Sequence, residues 1–169
     1  MQTKMIKGDI AEVGVYKGGS AKILAETLSG TQKKLHLFDT FTGHPDSDPE
    51  IDFHKKGEFG DTNLKMVIKY LADSNNIIFH QGLFPDTAKP IENMSFSFVH
   101  IDPDLYQSVL DCCIFFYPRL SLYGVIIFDD YNCSTTPGVK KAIDEYFSDK
   151  KENICVLDTG QAMVVKLKG

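Results

Sequence analysis

Five short apolar runs recur along this chain, most of them followed by a polar turn and then a stretch with helical spacing. The runs are residues 9–14, 35–38, 76–80, 96–102 and 125–129. Between them, apolar residues fall at helical intervals. Ile23, Leu24 and Leu28 do so within 20–28, Leu64, Val67, Ile68 and Leu71 within 62–72, and Val109, Cys113, Phe116 and Leu120 within 105–120. Another helix opens at Thr136-Pro137, where proline in the first helical position sacrifices no hydrogen bond. Residues 125–129 are apolar until their final Asp, the pattern of a strand covered on both faces. Such alternation requires crossovers between parallel strands, which leaves few architectures open. The last two runs, 154–157 and 162–167, are separated by a turn around Asp158-Thr159-Gly160. A connection that tight joins antiparallel neighbours. The expected fold is an α/β, Rossmann-like doubly wound, mostly parallel seven-stranded sheet ending in an antiparallel β-hairpin. The 169 residues suffice for one such domain, and residues 1–169 are read as one.

In an open α/β sheet, ligands bind at the carboxyl ends of the strands. Every parallel run but the third ends in an acid or carries one within two residues of its end: Glu12, Asp39, Asp102 with Asp104, and Asp129-Asp130. One acid at the start of a loop is an ordinary helix cap. Four such positions in one sheet point to a shared crevice.

The first run leads into Glu12-Val13-Gly14-Val15-Tyr16-Lys17-Gly18-Gly19-Ser20. Glycines there let the backbone turn tightly and approach a ligand. The spacing is not G-x-G-x-x-G, so a dinucleotide is not the expected ligand. Asp39, about 20 residues past Gly18, stands where a carboxylate accepts hydrogen bonds from ribose hydroxyls. An acid beside the loop repels a pyrophosphate but suits the ammonium and sulfonium of S-adenosylmethionine. Gln81 and Gly82, after the third run, are placed to meet the adenine edge.

The second constellation is Asp102-Pro103-Asp104 with Asp129-Asp130. Like charges gathered in one crevice repel unless they share a cation or a proton. An all-oxygen donor set suits Mg²⁺, Mn²⁺ or Ca²⁺, and a hard cation there acidifies a bound hydroxyl. An acid cluster that merely caps loops is the competing reading. The loop from Thr42 to about Gly60 is long for so small a domain and reads as a binding lid, against a disordered insertion. His44, His54, Lys55 and Lys56 in it are candidate substrate contacts. His36 is read as a core histidine, and His100 as either core or site-facing. Tyr106 and Tyr131 either wall the pocket or pack as aromatics; Phe115-Phe116-Tyr117 belongs to the core.

Composition narrows the classes. A formal net charge of -5 argues against phosphate-backbone binding as the main task, so no nucleic-acid partner is expected. No apolar run approaches the roughly 18–20 residues of a membrane span, and the first residues show no export signal. Four cysteines without metal-ligand spacing read as buried, reduced thiols in a cytoplasmic protein.

The segments EVGVYKGGS (12–20), LFDTFTGHP (37–45), QGLFPDT (81–87), HIDPDLYQS (100–108), FYPRLS (116–121) and GVIIFDDY (124–131) resemble the macrocin O-methyltransferase family, the TylF/MycF/NovP type of class I S-adenosylmethionine-dependent methyltransferases. The D-x-D-x-Y and D-D-Y motifs are the more specific part of that likeness. The resemblance implies an O-methyltransferase acting on a hydroxyl of a sugar or glycosylated small molecule, with magnesium. It implies that Glu12, Gly14, Tyr16, Gly18, Ser20, Asp39, Phe41, Gln81, Gly82 and Asp102 contact the cofactor. Asp102, Asp129 and Asp130 would hold the metal, and Asp102, or second Asp104, would be the general base.

Three departures stand out. Family members carry an N-terminal helical segment that covers the site and helps dimerise; here about eight residues precede the first run. The reading is therefore a domain without that lid, and a homodimer is expected only if other surfaces build it. Thr40 and His44 replace the family's common Ser and Leu, and Pro103 a frequent Gly. The competing functions are a nicotinamide-dependent oxidoreductase and an S-adenosylmethionine-binding module without turnover.

Overall fold

A computed structural model describes residues 2–167. After a 3₁₀ turn at Gln2–Met5, strands β1 (Asp9–Val13), β2 (Leu35–Asp39), β3 (Ile77–Gln81), β4 (Phe96–Ile101) and β5 (Leu120–Phe128) alternate with helices α1 (Gly19–Thr27), α2 (Leu64–Tyr70) and α3 (Tyr106–Arg119). A 3₁₀ segment at Asp86–Ile91 stands between β3 and β4. Helix α4 (Pro137–Phe147) and strands β6 (Cys155–Val156) and β7 (Ala162–Val165) complete the described chain.

The seven strands form one sheet in the order β3-β2-β1-β4-β5-β7-β6, parallel through β5. β7 pairs antiparallel with both β5 and β6, so the terminal hairpin enters the edge with its second strand inward. The expected α/β sheet is the observed one. β5 is longer than its apolar signature, beginning directly where α3 ends. The added part carries the exposed Leu122 and Tyr123, and the register with β4 shifts there.

Two cores follow from the strand period. Ala11 and Val13 of β1 face the cluster under α3 and α4, whereas Ile10 faces the cluster under α1 and α2. α3 buries Val109, Cys113 and Phe116 as its spacing predicts. On α1 the buried residues are Ala21 and Ala25 with Leu28 beyond, while Ile23 is 65% exposed; on α2, Ile68 is exposed beside buried Val67. On α1 the small residues nearest the sheet form the buried stripe, whereas on α2 Val67 is buried, with Leu71 just beyond and Leu64 packed against the same cluster. His36 and Phe116 lie in the core as expected. Of the cysteines, Cys112 and Cys113 are buried, but Cys155 is exposed and Cys133 half-buried, and all four are free thiols. Among the described residues, no helix is long and apolar enough to cross a membrane.

Candidate active site

The strand order reverses direction between β1 and β4, and a crevice opens at the carboxyl ends of strands on either side of that point. It is a cavity of about 480 Å³. One wall is built by Gly14, Tyr16, Ser20 and Asp39, with Gly82 from the turn after β3; the other by Asp102, Asp104, Asp129 and Asp130.

On the first wall the backbone is held open by hydrogen bonds to one side chain. Asp39 Oδ2 accepts from the backbone N–H of Val15 (2.7 Å) and Tyr16 (2.8 Å), and Oδ1 accepts from that of Phe41 (2.6 Å). Tyr16 and Phe41 both have positive φ, an uncommon conformation for aromatic residues, and the carboxylate supplies the contacts that maintain it. Gly14, at φ +85, admits no side chain: a Cβ would lie 2.1 Å from the carbonyl oxygen of Asp102. This close approach ties the glycine loop to the acid wall.

On the second wall the side chains crowd one another. Asp102, Asp104 and Asp130 bring ligand oxygens within 4.8 Å of each other, and so do Asp102 and Asp129 with a ring nitrogen of His100. The expected trio Asp102, Asp129 and Asp130 is thus divided between two groups that share Asp102. Burial, then the charges of Asp129, Asp104, Asp130 and Glu12, pushes the Asp102 carboxyl up to about 9. Burial, a side-chain hydrogen bond with Asp104 and the charges of Asp104 and Asp129 raise Asp130 to about 6. Asp104 and Asp130 also have positive φ. Among the described residues, no lysine or arginine forms an ion pair with any of the four.

Beneath this wall, Glu12 is fully buried and its Oε1 lies 2.9 Å from His100 Nδ1. The second oxygen, Oε2, has no hydrogen-bond partner.

The long loop, free of helix and strand from 42 to 60, forms a roof held by specific contacts. Its two limbs are joined by His44 N–H to Glu58 O and Gly57 N–H to His44 O. Buried Asp52 accepts from the backbone N–H of Tyr106 at 2.9 Å, capping α3, whose own preceding residue, Leu105, offers no side-chain cap. Gly138 of α4 leaves room for Asp52, since a Cβ there would sit 2.1 Å from its Oδ1. Inside the roof, His44 and Phe59 face the cavity, and Phe59 packs edge-on against Tyr16. His44 Nε2 lies 3.2 Å from Asp104 Oδ2, outside hydrogen-bond geometry, and has no other partner.

Of the loop's candidate substrate contacts, His44 lines the cavity and His54, Lys55 and Lys56 do not. Nine of the residues expected to hold cofactor or metal or to act as base meet there as well: Gly14, Tyr16, Ser20, Asp39, Gly82, Asp102, Asp104, Asp129 and Asp130. Four do not line it. Glu12 lies beneath the wall with His100. Gly18 caps α1 and packs beside Val67 and Tyr70. Phe41 is buried in the core under α1 and α2, and Gln81 is exposed. Tyr106 and Tyr131 turn to α4, bonding Glu145 and Asp144. Sequence reasoning did not single out Phe59, Leu83, Phe84 and Ser108, all of which line the cavity. Ser108 lies in the first turn of α3, four residues past Asp104.

The model of the macrocin-O-methyltransferase family matches residues 1–162. Demethyldecarbamoylnovobiocin O-methyltransferase of Streptomyces niveus is 26% identical over 155 residues, covering 83% of this chain and 58% of that protein. An 8-demethyl-8-(2,3-dimethoxy-alpha-L-rhamnosyl)-tetracenomycin-C 4'-O-methyltransferase of Streptomyces olivaceus is 29% identical over 140 residues, covering 75% of this chain and 54% of that protein. The chain thus spans little more than half the length of these curated relatives. The solved structure of the O-methyltransferase NovP superposes with a TM-score of 0.85 at 24% identity, covering 96% of this chain and 73% of that one, and shows the same fold.

Proposed function

Because this chain belongs to the macrocin-O-methyltransferase family, we propose that it transfers the methyl group of S-adenosylmethionine to a hydroxyl of a sugar borne on a small molecule. The observation that carries this reading is the cavity itself, which sets a carboxylate-fixed glycine loop against a wall of acids across the β1–β4 crevice. The relatives' names, one of which specifies a rhamnosyl compound, support a sugar acceptor.

The first wall suits the cofactor. Gly14 allows the ligand close to the backbone, and Ser20 and Gly82 offer polar groups at the cavity surface. Asp39 already accepts three backbone hydrogen bonds. A carboxylate has about four acceptor sites, so Asp39 retains one for a ribose hydroxyl.

The second wall suits a divalent cation. Its carboxylates are hard oxygen donors, and Asp102 lies within reach of Asp129 on one side and of Asp104 and Asp130 on the other. Among the described residues, no lysine or arginine is paired with them. Asp102, Asp129 and Asp130 would hold the ion, which lowers the acidity barrier of a bound hydroxyl. Asp102 belongs to both acid groups and is committed to that role. Asp104, on the cavity surface beside His44, is better placed to take the proton. In the transfer, an acceptor oxygen lone pair attacks the methyl carbon, the carbon–sulfur bond breaks towards sulfur, and the hydroxyl proton passes to Asp104. Holding the two reacting atoms about 3–3.5 Å apart supplies much of the acceleration, and a placed base contributes typically about 10²–10⁴-fold.

The test is transfer of a labelled methyl group from S-adenosylmethionine to a panel of glycosides and phenols, with and without Mg²⁺. Transfer to a glycoside, abolished by EDTA and by Asp129→Ala, is expected. Undiminished transfer under both conditions would overturn the metal. Calorimetry showing NADH to bind and S-adenosylhomocysteine not to bind would overturn the cofactor.

A further inference from the structure

We propose that His100 supplies a nitrogen ligand to the cation held by the acid wall, with buried Glu12 as the carboxylate that orients its ring. The inference rests on the reading of that wall as a cation site and adds a ligand of different chemistry.

Strand register places the four residues together. Glu12 of β1 stands opposite His100 of β4, and His100 opposite Ile127 of β5. Asp102 and Asp129 follow two residues after His100 and Ile127, just past the ends of β4 and β5. There the backbone hydrogen bonds Asp102 N–H to Val13 O and Asp129 N–H to Ile101 O continue the ladder and its alternation of faces. Ligand atoms of His100, Asp102 and Asp129 accordingly fall within 4.8 Å of one another. The His100 side chain is nine-tenths buried, with 10% of its surface exposed, so it is not a freely solvated ring.

Glu12 decides which nitrogen is available. Its Oε1 lies 2.9 Å from Nδ1, and a carboxylate there accepts the Nδ1 proton. Of the two neutral tautomers, this hydrogen bond selects the one in which Nε2 carries the lone pair. Metal-binding histidines almost always give their second ring N–H to a carboxylate, carbonyl or water, which sets tautomer and orientation. The burial of Glu12, its unpartnered Oε2 and its single hydrogen bond to a ring beside two acids form such an arrangement. The rival arrangement is a purely structural Glu12–His100 pair below an all-oxygen site.

The two differ in metal preference. Carboxylates and water alone suit Mg²⁺, Ca²⁺ and Mn²⁺ alike, whereas an imidazole ligand adds affinity for a transition-series ion over Mg²⁺. With His100 as ligand, Mn²⁺ binds more tightly than Mg²⁺, and the preference narrows when the imidazole is removed.

Pulsed electron paramagnetic resonance of the Mn²⁺-loaded protein reads the ligand directly, without an acceptor substrate. The expected result is ¹⁴N modulation from a directly bound imidazole, replaced by the ¹⁵N pattern when the protein carries [¹⁵N]histidine. His100→Asn should abolish the modulation and weaken Mn²⁺ binding more than Glu12→Gln, for which loss of the orienting partner costs roughly 10–100-fold. Mg²⁺ binding should fall less in His100→Asn, so the Mn²⁺/Mg²⁺ preference narrows. The isotope exchange shows that the coupled nitrogen is a histidine's, and coupling that persists in His44→Asn assigns it to His100 even if His100→Asn fails to fold. Mn²⁺ bound at the wall without nitrogen coupling would overturn the His100 ligand while leaving the cation site intact. Failure of the unmutated protein to bind Mn²⁺ would overturn the cation site, and the ligand with it.

Discussion

On the β1–β2 wall of the cavity a single carboxylate, Asp39, accepts backbone hydrogen bonds from Val15, Tyr16 and Phe41. On the β4–β5 wall, Asp102, Asp104, Asp129 and Asp130 face one another without a paired lysine or arginine among the described residues. The first wall is complete as it stands: its charge is satisfied by the chain, and strained residues are held in place by it. In the second, burial and mutual repulsion favour an added proton or cation. A site of this kind is preorganised on one side and responsive on the other. The glycine loop is fixed by its own hydrogen bonds, while the protonation of the acid wall changes with pH.

Four perturbations probe that contrast, beginning with the largest. Gly14→Ala forces a Cβ into the Asp102 carbonyl, where the two walls meet, and should destabilise the protein by about 3–5 kcal/mol in urea denaturation. A variant of near-native stability would show that the close approach is not rigid. Asp39→Ala orphans three backbone donors and should cost roughly 2–3 kcal/mol, with loss of S-adenosylhomocysteine binding by calorimetry. Retained stability would mean that the first wall does not depend on its carboxylate.

The opposite sign is expected across the cavity. Asp102 is raised from 3.8 to about 9 and Asp130 from 3.8 to about 6, so the folded state holds protons that the unfolded chain has released. Stability of the metal-free protein must then fall as pH rises from about 4 towards 9, with the Asp130 part complete near 6. Asp102→Asn should flatten that slope and stabilise the metal-free protein at pH 8 by about 1–2 kcal/mol, since asparagine occupies the buried position without the proton uptake that Asp102 requires there. Mn²⁺ should flatten the slope in the unmutated protein and not in the variant. A pH-independent urea midpoint would contradict the crowding of the acids. The smallest effect belongs to the roof: Asp52→Ala removes the cap of α3 and should cost about 1 kcal/mol. It should raise amide hydrogen exchange in residues 42–60 while sparing β1 and β2; unchanged exchange there would show that other contacts hold the loop.

Much of the sheet was legible because its signals are local. The continuous apolar run of β5 and the tight turn before β7 give a parallel centre and an antiparallel edge from neighbouring residues alone. The early start of β5 was not legible, since Leu122 and Tyr123 are exposed and fall where the register with β4 jumps from Leu120 to Val125. The stripe on α1 was misread at Ile23, because small Ala21 and Ala25 are what the sheet admits at that distance. Of the candidate site, the acids were legible by their position at strand ends. The partner of Asp39 and the roof contact of Asp52 were not, because Val15 lies 24 residues from Asp39, and Tyr106 lies 54 from Asp52.

The sequence by itself determined that glycine-rich backbone and acids would converge at the carboxyl edge of a parallel sheet, because strand period and crossover geometry permit little else. Only the tertiary structure decided how each acid is employed. Asp39 turns to backbone donors, Glu12 to His100, Asp52 to the end of α3, and Asp102 into a crowd of its own kind. A carboxylate's role is set by the burial and the partners around it, and those are contributed by segments far apart in the chain.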